Sequence, residues 1–150
     1  MRLLGIDHGL ARIGIAAGDT KASLAREVTI IKRRTKADDF ARIQQIAAEQ
    51  RVIAFVVGVP LDADAPEAAF TQADKVRNWI GYLQSALPYP ILTWDEALSS
   101  VDATVLSKAR GRRPADPIDD LAARVMLQSF LDALREGRAS LPENLMESER

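Results

Sequence analysis

The sequence predicts an α/β domain built on a five-stranded mixed sheet, three antiparallel strands followed by parallel ones, with helices on both faces. Three observations predict it. The first thirty residues hold three short runs rich in Ile, Val and Leu, separated by turn residues. The apolar spacing then changes from two to the helical 3.6 after residue 37. Finally, Val52-Ile53-Ala54-Phe55-Val56-Val57 is a continuous, mostly β-branched run closed by Gly58, which is how a strand covered on both faces reads.

The elements follow in order. Residues 2–7, 12–17 and 25–31 form a meander, turning at His8-Gly9 and at Gly18-Asp19-Thr20. Residues 37–50 make a helix whose inner face carries Phe40, Ile43, Ile46 and Ala47. The 52–57 run is the sheet centre. After a polar loop over 61–69, Val76, Trp79, Ile80 and Leu83 stripe a second helix from about Thr71 to Leu87, stopped by Pro88 and Pro90. Ile91-Leu92-Thr93-Trp94 is the fifth strand and delivers Asp95 and Glu96 at its end. Residues 100–108 are expected to be helical and 109–117 a basic loop. The last helix is expected over 118–134, with Asp116 as N-cap, Pro117 in the first turn and Gly137 ending it. The order is βββαβαβαα. One domain over 1–138 and a flexible tail over 139–150 account for the 150 residues.

Composition excludes whole classes of chemistry. With no cysteine and one histidine, cysteine nucleophiles, thiol redox pairs and zinc sites needing several imidazoles or thiolates are out of reach. Neither a G-x-x-x-x-G-K-[ST] loop, a G-x-S-x-G elbow nor an H-E-x-x-H pair occurs. Twenty basic and twenty-one acidic residues leave a net charge of -1, so no global basic field is present. Charge is instead local, in Lys32-Arg33-Arg34 with Lys36, and in Lys108, Arg110, Arg112 and Arg113. The opening Met1-Arg2-Leu3-Leu4-Gly5-Ile6-Asp7 does not read as a signal peptide, and no apolar run is long enough to span a bilayer. A cytoplasmic location and no membrane partner are expected.

Three carboxylates stand where elements end. Asp7 closes the first strand next to Gly9, as a ligand or as an Asx-turn residue opening a hairpin. Glu96 follows the fifth strand. Asp119 shares its helix face with Ala122, Ala123 and Met126, small and apolar residues suited to packing on the sheet. Asp120, four residues before Arg124, is expected to face solvent and pair with it. If Asp7, Glu96 and Asp119 meet, their hard oxygens suit Mg²⁺ or Mn²⁺, and two such ions would allow phosphodiester hydrolysis. Arg12 and the basic loop are candidates for phosphate contact, the loop being equally readable as a solvated linker.

The motifs around these residues resemble those of the YqgF/RuvX group, Holliday-junction-resolvase-like nucleases with an RNase H-like fold. Leu4-Gly5-Ile6-Asp7-His8-Gly9 with Arg12-Ile13-Gly14-Ile15-Ala16 resembles its D-x-G-x-x-R-I-G opening. Val57-Gly58-Val59-Pro60-Leu61 is similar to its V-G-x-P-L turn, Asp95-Glu96 falls at its D-E-R-L, and Ile118 to Ala123 is similar to its closing D-x-x-A-A helix. The resemblance implies a metal-dependent nuclease that matures the small-subunit (16S) rRNA precursor, with Asp7, Glu96 and Asp119 as catalytic carboxylates. It implies RNA or branched DNA as substrate and a monomer or homodimer. This chain carries Ala97 where the group has arginine, and Ser99 and Ser100 at its hydroxyl positions. The alternatives are a catalytically weak RNA-binding factor in ribosome assembly or transcription and a Holliday junction resolvase. A third is a sugar-kinase-like or actin-like ATPase, since D-x-G also opens the phosphate loop of that superfamily.

Overall fold

The computed structural model describes residues 1–61, 69–95 and 106–147. The chain runs β1 (Arg2–His8), β2 (Arg12–Asp19), β3 (Leu24–Lys32), α1 (Lys36–Gln50), β4 (Ala54–Val59), α2 (Gln72–Ala86), β5 (Ile91–Asp95), α3 (Asp119–Arg135) and α4 (Glu143–Glu147), with a helical turn at 106–109 before α3. The sheet order is β3-β2-β1-β4-β5. β1 pairs antiparallel with β2 and β2 with β3, whereas β1–β4 and β4–β5 are parallel. This is the predicted mixed sheet of an RNase H-like fold.

Alternation along β1 divides the core. Leu4 and Ile6 join Phe55 and Val57 beneath α1 and α2, where the predicted stripes Phe40, Ile43, Ile46, Ala47 and Val76, Trp79, Ile80, Leu83 are all buried. Leu3 points the other way with Ala16, Ala54 and Val56, and α3 covers them with Ala123, Met126, Leu127 and Phe130. Small residues crowd that second face, so α3 lies close to the sheet.

Caps fix the first two helices. The Thr35 hydroxyl accepts from the Asp38 amide at 3.1 Å, and Thr71 and Asp74 form a reciprocal capping box. The C-terminus of α1 explains a shift of the central strand. Arg51 adopts the left-handed conformation (φ 55°) and the Val52 amide donates back to the Ala47 carbonyl at 3.1 Å, so strand pairing with β5 and the full ladder to β1 start after Val52. The central strand is therefore 54–59, buried throughout.

Two expectations are corrected at the C-terminal end. Asp116 does not cap α3: its Oδ2 accepts from the Arg113 amide at 2.7 Å in a turn of its own, and the helix starts at Asp119 after Ile118, which offers no side-chain cap. Nor is the stretch 139–147 a free tail. Ala139 and Leu141 pack against the α3 side of the core, and Leu145 of α4 is buried in it.

Candidate active site

On β1, Leu3, Gly5 and Asp7 share the face covered by α3, and a Cβ at Gly5 would meet Leu127 of that helix. Asp7 is half-buried and stands opposite Gly14 in the antiparallel ladder. Gly14 is where α3 begins: a Cβ built there would lie 1.8 Å from the Asp119 carbonyl oxygen and 2.2 Å from its carbonyl carbon. The absence of a side chain at residue 14 thus lets the helix start rest on the β1–β2 ladder. The Asp119 carboxylate then reaches the hairpin. Its Oδ2 accepts from Arg12 Nε at 2.9 Å, and its Oδ1 lies 3.4 Å from the Cβ position of Gly9. Asp7 and Asp119 are brought to one end of the sheet, with Arg12 half-exposed beside them.

Asp120 behaves differently from the expectation of a solvent-facing residue paired with Arg124. It is buried, and Arg112 donates from Nη1 and Nη2 to its two carboxylate oxygens at 2.7 and 3.0 Å. This bidentate pair is of the strong, geometrically specific kind, and it holds the Arg112 guanidinium more firmly in its charged form. Arg112 also donates to the Pro117 carbonyl at 3.0 Å, tying the loop to the helix start. Arg124 turns instead to β3, donating to the Ala25 carbonyl at 3.1 Å and pairing with Glu27 at 3.2 Å. Arg110 meets the same Glu27 at 3.1 Å. Of the four loop cations, Arg110 and Arg112 therefore anchor the loop, whereas Lys108 and Arg113 are exposed, Arg113 lying 3.8 Å from Asp116.

Sequence reasoning did not single out His8. Alternation sends it to the opposite face from Asp7, where it is buried and tilts over the Trp79 ring at 4.6 Å between centroids. Neither ring nitrogen meets a hydrogen-bond partner among the described residues. Burial, with Arg33 adding charge repulsion, lowers its pKa to about 4, so the ring is neutral near pH 7. The signal was available, since this is the chain's one histidine and it sits between Asp7 and Gly9.

A family model described as RuvX, Holliday junction resolvase, matches residues 1–133. The chain belongs to the RuvX family. Relatives of RuvX type agree along nearly their whole length. A protein of Anaeromyxobacter dehalogenans (strain 2CP-1 / ATCC BAA-258) named "Putative pre-16S rRNA nuclease" is 41% identical over 135 residues, covering 88% of this chain and 97% of that one. A protein of the same name from Thermoanaerobacter pseudethanolicus is 37% identical over 138 residues, with 89% and 97% covered. Among solved structures, Thermus thermophilus RuvC in complex with a Holliday junction substrate superposes with a TM-score of 0.61 at 16% identity, covering 93% of this chain and 98% of that one. The Fowlpox virus resolvase in its junction complex gives 0.53 at 11% identity, over 89% and 99%. These likenesses establish the RNase H-like fold, and family membership makes this RuvX chain a nuclease.

Glu96, the third carboxylate expected from the sequence, lies outside the described residues, as do Ala97, Ser99 and Ser100. The strand leading to it is described: β5 runs parallel to β4 with Asp95 opposite Val59, and Trp94 faces α3, donating from Nε1 to the Ser129 hydroxyl at 3.1 Å. Among the described residues no group of three metal-ligating side chains occurs. The Asp7 and Asp119 carboxylates are hard anionic oxygen donors, suited to magnesium or manganese rather than to softer metals. Among the described residues no helix is long and apolar enough to cross a membrane.

Proposed function

We propose that this RuvX-family chain hydrolyses phosphodiester bonds with Mg²⁺ or Mn²⁺, and that its substrate is the precursor of the small-subunit (16S) rRNA. The observation that carries the reading is the seating of Asp119 on Gly14, which brings its carboxylate to the strand end that bears Asp7. Asp7, Asp119 and Glu96 hold the cation or a pair of cations. When bound, such a cation adds positive charge at the phosphate and lowers the pKa of water.

The chain's own residues do the rest. Arg12 compensates the Asp119 carboxylate and, half-exposed, presents a guanidinium to an incoming phosphate. Lys108 and Arg113 meet the backbone further along, a contact that reads charge and not sequence. The relatives' name supports this choice of substrate, and a cytoplasmic location accords with it.

The deciding experiment is cleavage of matched precursor RNA fragments and branched DNA with Mg²⁺, with Mn²⁺ and with EDTA, for wild type and Asp7→Asn. Metal-dependent cutting of the RNA that disappears in Asp7→Asn is the expected result. Cutting of branched DNA alone would make the chain a junction resolvase. Tight RNA binding with no turnover in wild type would favour the binding-factor reading, which Ala97 motivates.

A further inference from the structure

On the sheet face opposite the carboxylates, a concavity of about 280 Å³ opens between the β1–β2 hairpin, the start of α1 and the outer side of α2. Its floor is His8, more than nine-tenths buried and resting against the Trp79 ring. The rim is unusual. Leu10, Phe70 and Tyr82 are 73%, 63% and 58% exposed, three of the six large apolar side chains that stand out to solvent among the described residues, and all three border this space. Clustered exposure of that kind marks a binding surface. The third component is charge: Arg33, Lys36 and Lys75 line the concavity and no acidic residue among the described ones does. Arg33 donates to the carbonyls of Gly9 and Leu10 at 3.0 and 3.2 Å, fixing the hairpin against the rim, and Lys36 Nζ rests 4.6 Å from the Tyr82 ring centre.

Exposed aromatic rings to stack on, and cations with no acid among the described lining residues, are together the chemistry of an unpaired nucleotide. We propose that this concavity binds one unpaired nucleotide of the nucleic acid chain, its base stacked on the exposed Tyr82 ring beside Phe70 and its phosphates on Lys36 and Lys75. The choice of occupant rests on the nuclease reading above. The volume is just under the usual small-ligand range of about 300–1,000 Å³, a size for one base and not for a duplex end. Because Asp7 and His8 are consecutive on β1, a strand cut on one face would cross the hairpin tip and place a neighbouring nucleotide on the other.

The test uses wild type, Tyr82→Ala and Lys75→Ala in EDTA, so that binding is read without turnover. The probes are short single-stranded RNA and DNA carrying 2-aminopurine, with a blunt duplex of the same length as control, and circular dichroism verifies that each variant is folded. Wild type is expected to quench the 2-aminopurine emission on binding. Tyr82→Ala is expected to abolish that quenching and weaken single-strand binding about tenfold while leaving the duplex unchanged. The RNA and DNA arms show whether the sugar is read. Wild-type affinity in both variants, equal weakening of duplex and single strand, or no single-strand binding by wild type would each overturn the site. Metal-dependent cleavage by wild type, against Asp7→Asn as the inactive control, is a separate readout: an active wild type with Tyr82-independent binding removes this site alone, and Tyr82-dependent binding without any cleavage by wild type removes the nuclease reading alone.

Discussion

Replacing Gly14 by alanine tests whether the active end of the molecule is organised by contact between a helix start and a strand. The added Cβ would stand 1.8 Å from the Asp119 carbonyl oxygen, 2.2 Å from its carbon and 2.9 Å from the Asp120 amide. All three are main-chain atoms, so no rotamer change relieves the clash. Bringing the closest contact to 3.0 Å, the least that real Cβ atoms accept, moves the start of α3 by about 1.2 Å. Overpacking of this kind costs about 1–3 kcal/mol, and the main-chain partners place Gly14→Ala at the upper end. For a domain of this size, about 3 kcal/mol lowers Tm by roughly 6–12 °C. A displacement of about 1 Å in a catalytic carboxylate also costs on the order of 100-fold in rate. Urea unfolding followed by circular dichroism reads the first effect, and cleavage by the folded variant at saturating metal reads the second. Gly81 is the control, since a Cβ there meets nothing within 4 Å on the exposed side of α2. Gly81→Ala should gain about 0.8 kcal/mol from helix propensity alone. A Gly14→Ala protein with the wild-type unfolding midpoint and wild-type cleavage would refute the seating of α3 on β2.

The two neighbouring aspartates should separate cleanly. Asp119→Asn loses cleavage and metal affinity while costing under about 1 kcal/mol, because its pair with Arg12 is half-exposed. Asp120→Asn leaves Arg112 facing an uncharged amide and should cost about 2–3 kcal/mol, read by thermal melting, with the cleavage of the folded fraction largely retained. For the basic loop, the Lys108→Ala/Arg113→Ala double variant should reduce the log–log salt slope of duplex binding by up to about 1.8 without loss of stability, whereas Arg112→Ala should destabilise the fold. An unchanged slope in the double variant would leave the loop with a structural role only. Leu145→Ala should cost about 2–4 kcal/mol in urea unfolding, because that side chain is 3% exposed against the α3 face of the core; a cost near zero would return α4 to the status of a loose tail.

What was legible in the sequence is whatever repeats. The stripes of α1 and α2 and the β-branched run of β4 each spread one message over several residues, so errors at the ends did not matter. That Asp119 starts its helix against the sheet was legible from the small residues beside it, and Gly14 shows why small residues were needed. Single contacts were not legible. Arg112 lies in a run of bases that reads as solvated, and nothing local tells that Asp120, eight residues on, buries a carboxylate against it. The spacing from Asp120 to Arg124 was a correct helical neighbour relation, yet Glu27 on another strand competes better for that guanidinium. Asp116 before Pro117 has the chemistry of an N-cap and uses it in a turn two residues too early. Leu141 and Leu145 are sparse among polar residues, so their docking depends on an apolar surface that no local pattern announces.

The seating of α3 on the meander also bears on how the protein is made. Leu3, Ala16, Ala54 and Val56 belong to strands synthesised early, and the helix that covers them comes last among the long elements. A chain that has reached β5 can already close the α1–α2 side, while the other face of its sheet is bare and open to aggregation. At about 5–20 residues per second that interval lasts a few seconds, time in which a chaperone or a second nascent chain has access to the strands. The same delay has a protective side, for Asp119 arrives with the helix. Until α3 docks, the site proposed above lacks its Asp119 carboxylate, so on that reading a half-made chain carries an unassembled cutting site.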